Sequence, residues 1–588
     1  MPFDGLVLHS VTRELKAVLT GGRIERIYQP AALEIILAIR RNREKYRLLL
    51  SAAADSARAH LTEADRRNPA KTPFFCSALR RRLEGNRILA INQSSLDRIL
   101  RFEISGTDEL GRPVIYLLIA EIMGKHSNII LLEPKENKII DSIKRYSHAM
   151  SRYREILPGR VFIPAPPSGK ADPTAVTEDE FISALSALEP ETDVPSGIQR
   201  LYEGLSLFSA REVVHRAGME PGISLDSCGL YEYRRLYTSF KDLVSSVLSG
   251  NNAPTLIFEN GTPSDYAAFD PGSFSGKKIH GTMNEILDRF YEERARVMAF
   301  AVQKSRVEQC ISREINRLNR KLEGLQAVLD DPDPDRYRLY GELLTANLYR
   351  LRTGETRVSL ENLYQPGAPP VDIPLKPAFT PAQNAQLYFK KYAKARAARE
   401  HACQEKKRLE EELAYLTSVA TACGQVTNLK DLLEITLELT EQGYLGSSPA
   451  ATKKLDKPEP LKLYSSDNFT LLVGKNNLQN DYITFRLAAP EDIWFHARGV
   501  PGAHVILKTG GRKPSAAALR EAAALAAYFS QSRHSRSVPV DYTRRANVRR
   551  PKGSRPGFVT YTEEKTLYAD PSATEALLNR PADPDPKN

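Results

Sequence analysis

The residues from 490 to 507, PEDIWFHARGVPGAHVIL, gather chemically capable side chains around a tight glycine–proline turn. They include the only tryptophan of the chain, Trp494, and two of its ten histidines, His496 and His504. Trp494, His496 and Arg498 alternate along one strand face, and such a row suits base stacking and phosphate contact. We therefore predict a surface that grips RNA. A packed tryptophan with hydrogen-bonded histidines is the alternative.

The length of the connecting loop decides whether the two histidines meet. A three-residue loop would set His496 opposite His504, whereas a four-residue loop would place them on opposite faces of the hairpin at 493–508. The sequence leaves this register open. A protein zinc site needs at least three ligands, and no third ligand is nearby, so we expect no metal here.

A strongly basic stretch follows between Arg533 and Arg555. Eight of its 23 residues are lysine or arginine, and Asp541 is its only acid. With the prolines and glycines of RRPKGSRPG, this pattern predicts an extended loop that follows phosphates, because a merely solvated face would mix charge signs. The whole chain carries a net charge of +11, which also favours a polyanionic partner. The candidate RNA contacts are Arg544, Arg545, Arg549, Arg550 and Lys552.

A third group of charged residues lies at the end of two predicted strands, around LDRILRFEI and PVIYLLIAEIM. An antiparallel register with Phe102 opposite Leu117 matches their apolar rows. The same register places Arg98 opposite Glu121 at the sheet edge, with Asp97 beside them on the other face. These charges form either a structural ion pair that caps the edge or a binding constellation, and spacing alone does not decide between the two.

Signatures of catalysis are missing from the sequence. The chain begins Met1-Pro2, and an N-terminal proline can serve as a nucleophile in a DNA glycosylase. However, Phe3 stands where such an enzyme needs glutamate, and no cysteine zinc finger follows. The segment GSFSGKK is too short for a P-loop, and no GxSxG or HExxH motif occurs. We therefore predict no catalytic residue, no metal and no cofactor.

The elements that must position these groups fall into several domains, since 588 residues are too many for one core. Short strands joined by tight turns predict a mainly antiparallel-sheet N-terminal domain. No secretory signal and no run of about 18 apolar residues are found, so we expect a cytoplasmic protein without a membrane span. The predicted boundaries are 1–170 for the N-terminal domain, 171–272 for a helical domain, 273–445 for a coiled-coil domain, 446–460 for a linker, 461–572 for a small α/β domain and 573–588 for a disordered tail.

The middle of the chain predicts a long antiparallel coiled-coil hairpin. One helix runs from Met283 to about Leu329, and a second runs from about Pro381 past Leu416. Turn signals and short strands lie between them, which favours a hairpin within one chain over a parallel homodimer. The heptad positions are Ile311, Ile315, Leu318, Leu322, Leu325 and Leu329 on the first helix, and Leu409, Leu413, Leu416 and Ala420 on the second.

Several motifs in order resemble the NFACT family, and within it the bacterial RqcH-type ribosome quality control factors, which have also been called fibronectin-binding protein A-like. They are MPFDGLVLHSVTREL, SSLDRI, AEIMGKHSNIIL, RYREILPGRVFIPAP, GLSLFSAREVVHRAG, PAQNAQLYFKKYAKARAA and DIWFHARGVPGAHVIL. The resemblance implies an N-terminal domain related to the glycosylase fold, a helix-hairpin-helix domain, a coiled-coil middle domain and a C-terminal RNA-binding domain. The sequence departs from the family at Leu207, where proline is usual.

The resemblance also implies a function without catalytic residues. Such proteins bind large ribosomal subunits that carry peptidyl-tRNA, recruit alanyl-tRNA and direct alanine tailing of the stalled chain, while the ribosome forms the peptide bonds. It implies tRNA binding by Asp97 and Arg98, with Asp4 and Glu121 in support. It further implies a small S4-like RNA-binding helper protein and an association with ribosomes. A surface adhesin that binds fibronectin is the alternative, either in place of this role or as a secondary activity.

Overall fold

The computed structural model describes residues 3–108, 110–133, 135–150, 153–367, 369–446, 457–578 and 580. The chain divides into two compact units, residues 1–298 and 299–588. Each unit combines helices with antiparallel sheets, so the prediction of a multidomain α+β protein is confirmed at this level.

Two antiparallel meanders build the first unit. A four-stranded sheet has the order β1-β2-β3-β4, and a five-stranded sheet has the order β5-β6-β7-β8-β9. Apolar residues alternate along these strands, and those that face inward share one core with helices α1 and α2. The elements are α1 (Gly5–Leu19), β1 (Arg23–Ala31), β2 (Glu34–Arg41), β3 (Glu44–Ser51), β4 (Arg58–Leu61), α2 (Phe74–Leu83), β5 (Ile88–Gln93), β6 (Ile99–Thr107), β7 (Pro113–Glu121), β8 (Asn128–Glu133) and β9 (Lys138–Ser142).

The pairing of β6 with β7 differs by one residue from the predicted register. Phe102 lies opposite Leu118 rather than Leu117. The connecting loop is closed by Asp108, whose carboxylate accepts hydrogen bonds from two backbone N–H groups of the loop. Both faces of these strands are buried, since Phe102 and Leu118 lie in the main core while Ile119 lies in a second cluster. Apolar alternation therefore could not fix the register.

A helical segment and a small sheet complete the first unit. Helix α5 begins at Leu207, and the side chain of Ser206 caps it by accepting a hydrogen bond from the N–H of Ser209. Leucine in place of proline thus leaves an ordinary helix start. The sequence did not predict the three-stranded sheet β11-β10-β12. The elements are α3 (Glu178–Ser186), α4 (Val194–Leu201), α5 (Leu207–Arg216), α6 (Leu230–Ser249), β10 (Thr255–Glu259), β11 (Thr262–Ala267) and β12 (Lys278–His280).

Two long helices form the predicted antiparallel hairpin. Lys304 Nζ near the start of the seam donates to Gly424 O at 3.2 Å, and Lys406 Nζ donates to Gln326 Oε1 at 2.8 Å. Ile311, Leu318, Leu409 and Leu416 are buried between the helices, so the heptad prediction within one chain is confirmed. The elements are α7 (Met283–Asp330), α8 (Asp333–Ala346), β13 (Arg357–Glu361), β14 (Pro370–Pro374), α9 (Pro381–Gln425) and α10 (Leu429–Glu441).

The C-terminal part of the second unit is a six-stranded antiparallel sheet with the order β15-β16-β18-β17-β19-β22. The expectation of a disordered tail from residue 573 is wrong for residues 573–578, which are helical and bury Leu577. Residues 581–588 of that tail and most of the linker, 447–456, lie outside the described residues. The elements are β15 (Leu461–Tyr464), β16 (Thr470–Val473), α11 (Asn477–Tyr482), β17 (Ile493–Ala497), β18 (Val505–Lys508), α12 (Ala516–Tyr528), β19 (Val538–Arg544), β20 (Val548–Arg549), β21 (Thr560–Tyr561), β22 (Lys565–Ala569) and α13 (Glu575–Leu578).

Replacing Leu318 by alanine should lower the free energy of unfolding of the second unit by about 2–5 kcal/mol, because the side chain is fully buried in the seam and leaves a cavity. Urea unfolding followed by far-UV circular dichroism measures the loss. Val302→Ala on the same helix is the control, since Val302 is 70% exposed and should cost less than about 0.5 kcal/mol. Equal losses for the two variants would contradict the seam.

Candidate nucleic-acid interface

Asp97 and Arg98 lie in the turn that leads into β6. The N–H of Asp97 donates to Ser94 O at 3.1 Å, and Asp97 Oδ1 accepts a 2.6 Å hydrogen bond from the N–H of Arg98. Both side chains are half-buried, and burial raises the pKa of the Asp97 carboxyl above its ordinary value. Within the described part of the chain, the Arg98 guanidinium has no hydrogen-bond or ion-pair partner. The turn therefore presents an unpaired cation beside a partly desolvated carboxyl.

Two glycines allow this turn to pack against neighbouring backbone. A Cβ on Gly5 would lie 2.0 Å from Leu96 O, and one on Gly204 would lie 2.4 Å from Leu96 Cβ. The N–H of Gly5 donates to Gly204 O at 2.8 Å, which joins the first turn of α1 to the turn between α4 and α5. Gln93 Nε2 donates to Asp97 O at 2.8 Å and fixes the other side. The turn is thus held from three directions before any ligand binds.

Asp4, predicted to support the tRNA site, is buried inside this framework. Its Oδ1 accepts a 3.0 Å hydrogen bond from the N–H of Val7 and so caps α1. Its Oδ2 accepts from the hydroxyls of Ser206 and Ser209, at 2.7 and 2.6 Å, in the first turn of α5. One carboxylate therefore serves the N-termini of two helices, where the helix dipoles favour negative charge. Asp4 holds the site in place and is not exposed to a ligand.

Glu121 is also buried, but the predicted opposition of Glu121 to Arg98 is wrong. The one-residue difference in register sets Ile99 opposite Glu121. The carboxylate instead accepts two hydrogen bonds from Arg154, at 2.8 and 2.6 Å, in a bidentate ion pair. The structural ion pair at the sheet edge therefore exists with a different arginine, and Arg98 has no ion-pair partner among the described residues.

Further cations at the same edge were missed by the sequence reasoning. The N–H of Ile122 donates to Arg98 O at 2.8 Å, and the short 3₁₀ turn Gly124–His126 follows directly. Lys125 and His126 on this turn are exposed. Lys170 is also close, since burial and then the Arg98 charge lower its pKa. The glycine followed by two basic residues in MGKHS was the signal that could have pointed to them.

Trp494 lies in a core, and the prediction that it grips RNA is wrong. Its side chain is 0% exposed and packs in a cluster with Leu472, Ile483, Ile506 and Val548. This cluster forms because α11, its π-helical continuation and the β20–β21 hairpin cover the second face of the sheet. The alternative of a packed tryptophan is therefore the correct interpretation.

The two histidines meet on the same covered face. Phe495 pairs with Val505, and this register brings His496 opposite His504, with ring centroids 5.5 Å apart. Burial lowers the pKa of His496 to about 4 and that of His504 well below its ordinary value. Thr484 Oγ1 lies 2.9 Å from His504 Nδ1. Both rings are therefore neutral near pH 7, and neither can offer a positive charge to a phosphate.

Arg498 follows these residues on an exposed loop, and its charge is already compensated. Arg498 Nε donates to Asp541 Oδ2 at 3.1 Å. Tyr561 OH and Thr566 Oγ1 also donate to this carboxylate, at 3.0 and 2.8 Å. Asp541 is the single acid of the basic stretch, and its burial removes it from the surface. The exposed part of the stretch is therefore wholly cationic.

The predicted cations of the stretch divide into two groups. Arg545 Nε donates to Thr484 O at 2.8 Å, and Arg550 forms a 2.8 Å ion pair with Asp481, so these two arginines have structural roles. The second group consists of exposed side chains that have no hydrogen-bond or ion-pair partner among the described residues. They are Arg544, Arg549 and Lys552.

Comparison with known proteins agrees with this layout. Residues 4–458 match the NFACT N-terminal and middle domains, and residues 460–560 match the NFACT protein RNA binding domain. The chain belongs to the NFACT family. It is 36% identical over 581 residues to the Rqc2 homolog RqcH of Bacillus subtilis (strain 168), an alignment that covers 98% of this chain and 99% of that protein.

Two relatives from Streptococcus suis are also similar. The Rqc2 homolog RqcH of strain 05ZYH33 is 36% identical over 575 residues, which cover 97% of this chain and 98% of that protein. The solved structure of the N-terminal of the fibronectin/fibrinogen-binding protein from Streptococcus suis is 35% identical, with a TM-score of 0.42, and covers 49% of this chain and 99% of that chain.

The RNA-binding match of this NFACT chain contains Arg544, Arg549 and Lys552, the three predicted contacts without a hydrogen-bond or ion-pair partner among the described residues. Within the described residues, no helix has both the length and the apolar content to cross a bilayer. In the same part of the chain, no cluster of three or more His, Cys, Asp or Glu side chains is arranged to hold a metal ion.

The histidine pair should make the stability of the RNA-binding domain depend on pH. The folded pKa of His496 is about 4 and its unfolded value is near 6.5, so the unfolded chain binds a proton first as pH falls. The contribution is complete above pH ~6.5 and is lost between pH ~6.5 and ~4, up to about 3 kcal/mol.

Urea unfolding followed by tryptophan fluorescence measures this effect, because Trp494 is the only tryptophan and packs against both histidines. The urea concentration at the unfolding midpoint should decrease as the pH is lowered from 7.5 to 5.5. His496→Gln removes one of the two titrating groups and should reduce the dependence. The same slope in wild type and variant would contradict the assignment.

Proposed function

We propose that this NFACT protein acts in ribosome quality control. It binds obstructed large ribosomal subunits that carry peptidyl-tRNA, recruits alanyl-tRNA and directs untemplated alanine tailing, which marks the stalled chain for degradation. The observation that carries the proposal is the similarity to the Rqc2 homolog RqcH of Bacillus subtilis over 98% of this chain. The two cationic sites described above supply the RNA contacts that this role needs.

The RNA-binding domain contributes electrostatic attachment. Arg544, Arg549 and Lys552 are exposed and unpaired within the described chain, so they are free to replace the counterions of RNA phosphates. Arg545 and Arg550 support this surface structurally through their contacts with Thr484 and Asp481. Contacts of this kind fix position and do not read sequence. They suit ribosomal RNA as a ligand.

The N-terminal domain contributes the tRNA site. Arg98 supplies an unpaired guanidinium that matches the geometry of a phosphate. The half-buried carboxyl of Asp97 accepts hydrogen bonds, from the backbone N–H of Arg98 in the free protein and from ribose hydroxyls or base amines in the complex. Asp4 and Glu121 keep this turn in place through Ser206 and Arg154. They support tRNA recruitment without touching tRNA.

No catalytic residue is required for this function, because the ribosome forms the peptide bonds. The protein works as an elongation scaffold in the cytoplasm, bound to the large subunit, with a small S4-like RNA-binding protein as helper. A second candidate function is fibronectin binding, since a solved relative from Streptococcus suis is described as a fibronectin/fibrinogen-binding protein. Fibronectin is therefore included as a ligand in the first experiment below.

Replacing Arg544, Arg549 and Lys552 together by glutamine should weaken binding to purified large ribosomal subunits. Three phosphate contacts are lost, so the slope of log affinity against log salt should fall by about two to three units. Lys394, Arg396 and Arg399, exposed on α9, give a control variant with the same loss of charge. Equal effects of the two variants would show only a net-charge effect. Absence of subunit binding by the unmodified chain together with tight fibronectin binding would favour the adhesin.

Replacing Asp97 and Arg98 together by alanine should abolish tRNA recruitment while subunit binding and far-UV circular dichroism stay unchanged. Neither side chain makes a contact to another element of the described chain that folding requires. Co-purified RNA measures the effect, with large-subunit RNA retained and tRNA lost. Glu121→Gln is the structural control, because it breaks a buried ion pair and should lower thermal stability. An unfolded double variant would make the Asp97–Arg98 pair architectural.

A further inference from the structure

The burial of Trp494 leaves the RNA-binding domain without the aromatic side chain that the sequence assigned to its surface. Another aromatic side chain of this domain is exposed, on the loop that follows Arg549. Phe558 is 55% exposed and lies in the loop between β20 and β21, which also carries Lys552. At this exposure the ring of Phe558 is available for contact with a ligand.

The loop that carries Phe558 is built by specific contacts. Arg549 pairs with Thr560 at its base, and the N–H of Gly557 donates to Asp481 Oδ1 at 3.0 Å. Arg555 Nη1 donates to Tyr444 OH at 2.7 Å, and its guanidinium lies 4.6 Å from the centre of the Tyr415 ring. These contacts fix both ends of the segment, so Phe558 is presented by an ordered loop.

The orientation of Phe558 follows from this pairing. Thr560 and Arg549 face outward, while their neighbours Val548 and Tyr561 pack on Trp494. Phe558 lies two residues before Thr560, and the N–H of Phe558 donates to Arg555 O at 3.3 Å. The ring is therefore exposed on the same side as the Arg549 guanidinium.

The charges around the ring favour an anionic ligand. Arg549 and Lys552 have no partner within the described chain. Among the acids of this region, Asp481 pairs with Arg550 and Glu563 accepts a 3.1 Å hydrogen bond from Asn547 Nδ2, whereas Glu564 is exposed beside Glu563. An apolar protein surface has no group that could form an ion pair with the two cations beside the ring. A nucleotide offers both a π-face and a phosphate.

We propose that Phe558 stacks on an unpaired base of RNA while Arg549 and Lys552 hold the neighbouring phosphates. This inference rests on the RNA-binding function proposed above and specifies its ligand as a single-stranded or looped-out nucleotide rather than a regular duplex. Bases within an A-form helix are stacked on one another and give no free face to a side chain. The stack adds affinity with little base preference, because every base has a π-face.

The test compares Phe558→Ala and Phe558→Tyr in the full chain. The probes are a single-stranded RNA that carries 2-aminopurine and a blunt RNA duplex of equal charge. Alanine should weaken single-strand binding about tenfold, the effect of one lost base–aromatic stack, and should leave duplex binding and the salt slope unchanged. Tyrosine should restore affinity and the quenching of 2-aminopurine. Unchanged Trp494 fluorescence shows that the domain is folded.

Tyr568→Ala is the matched control, because Tyr568 is an exposed aromatic on edge strand β22 of the same domain. Equal losses for Phe558→Ala and Tyr568→Ala would overturn the assignment of the stack to Phe558. If Phe558→Ala binds normally while the Arg544, Arg549 and Lys552 variant is weakened, the stack is refuted and the proposed function stands. If neither variant is weakened, both fail.

Discussion

The buried carboxylate of Asp4 is the interaction on which the N-terminal site depends. It caps α1 through Val7 and binds the hydroxyls of Ser206 and Ser209 at the start of α5. Two helix N-termini thereby share one negative charge, and both helix dipoles stabilise that charge. Since α1 and the turn before α5 also clamp Leu96, the Asp4 contacts set the position of the turn that follows it. The site is preorganised by the fold rather than by its own charges.

The loop that carries Phe558 depends on a comparable polar contact. Glu438 on α10 accepts hydrogen bonds from Tyr415 OH and Asn477 Nδ2, both at 2.9 Å, and burial raises its pKa to about 7. Further carboxylates of α10 are also buried and bind the segment from Lys475 to Gln479. A buried polar network rewards one arrangement and penalises slippage, since any displaced group loses its partner. Helices α9 and α10 thus fix α11, and through Asp481 they fix the loop of Phe558.

The sequence predicted well wherever one face of an element is buried and the other is exposed. The heptads of α7 and α9 are such a case, so the hairpin and nine of its ten predicted seam residues were predicted correctly, all but Leu329. The prediction failed where both faces are covered. The strands β6 and β7 are apolar on both sides, so the register slipped by one residue and gave Arg98 the wrong partner. The prediction for Trp494 failed for the same reason. A π-helical turn covers this side chain, and no local sequence pattern indicates that turn.

The two proposed sites follow one rule, which explains which cations remain for the RNA contacts proposed above. In each, one acid forms an ion pair with an arginine that has a structural role. Arg154 binds Glu121 in the N-terminal domain, and Arg550 binds Asp481 in the RNA-binding domain. The neighbouring cations, Arg98 among them, are left without a partner in the described chain. An unpaired guanidinium on a fixed backbone costs little while water solvates it and is free to bind when a phosphate arrives. Basic composition alone therefore overstates the ligand contacts, because part of it neutralises the protein itself.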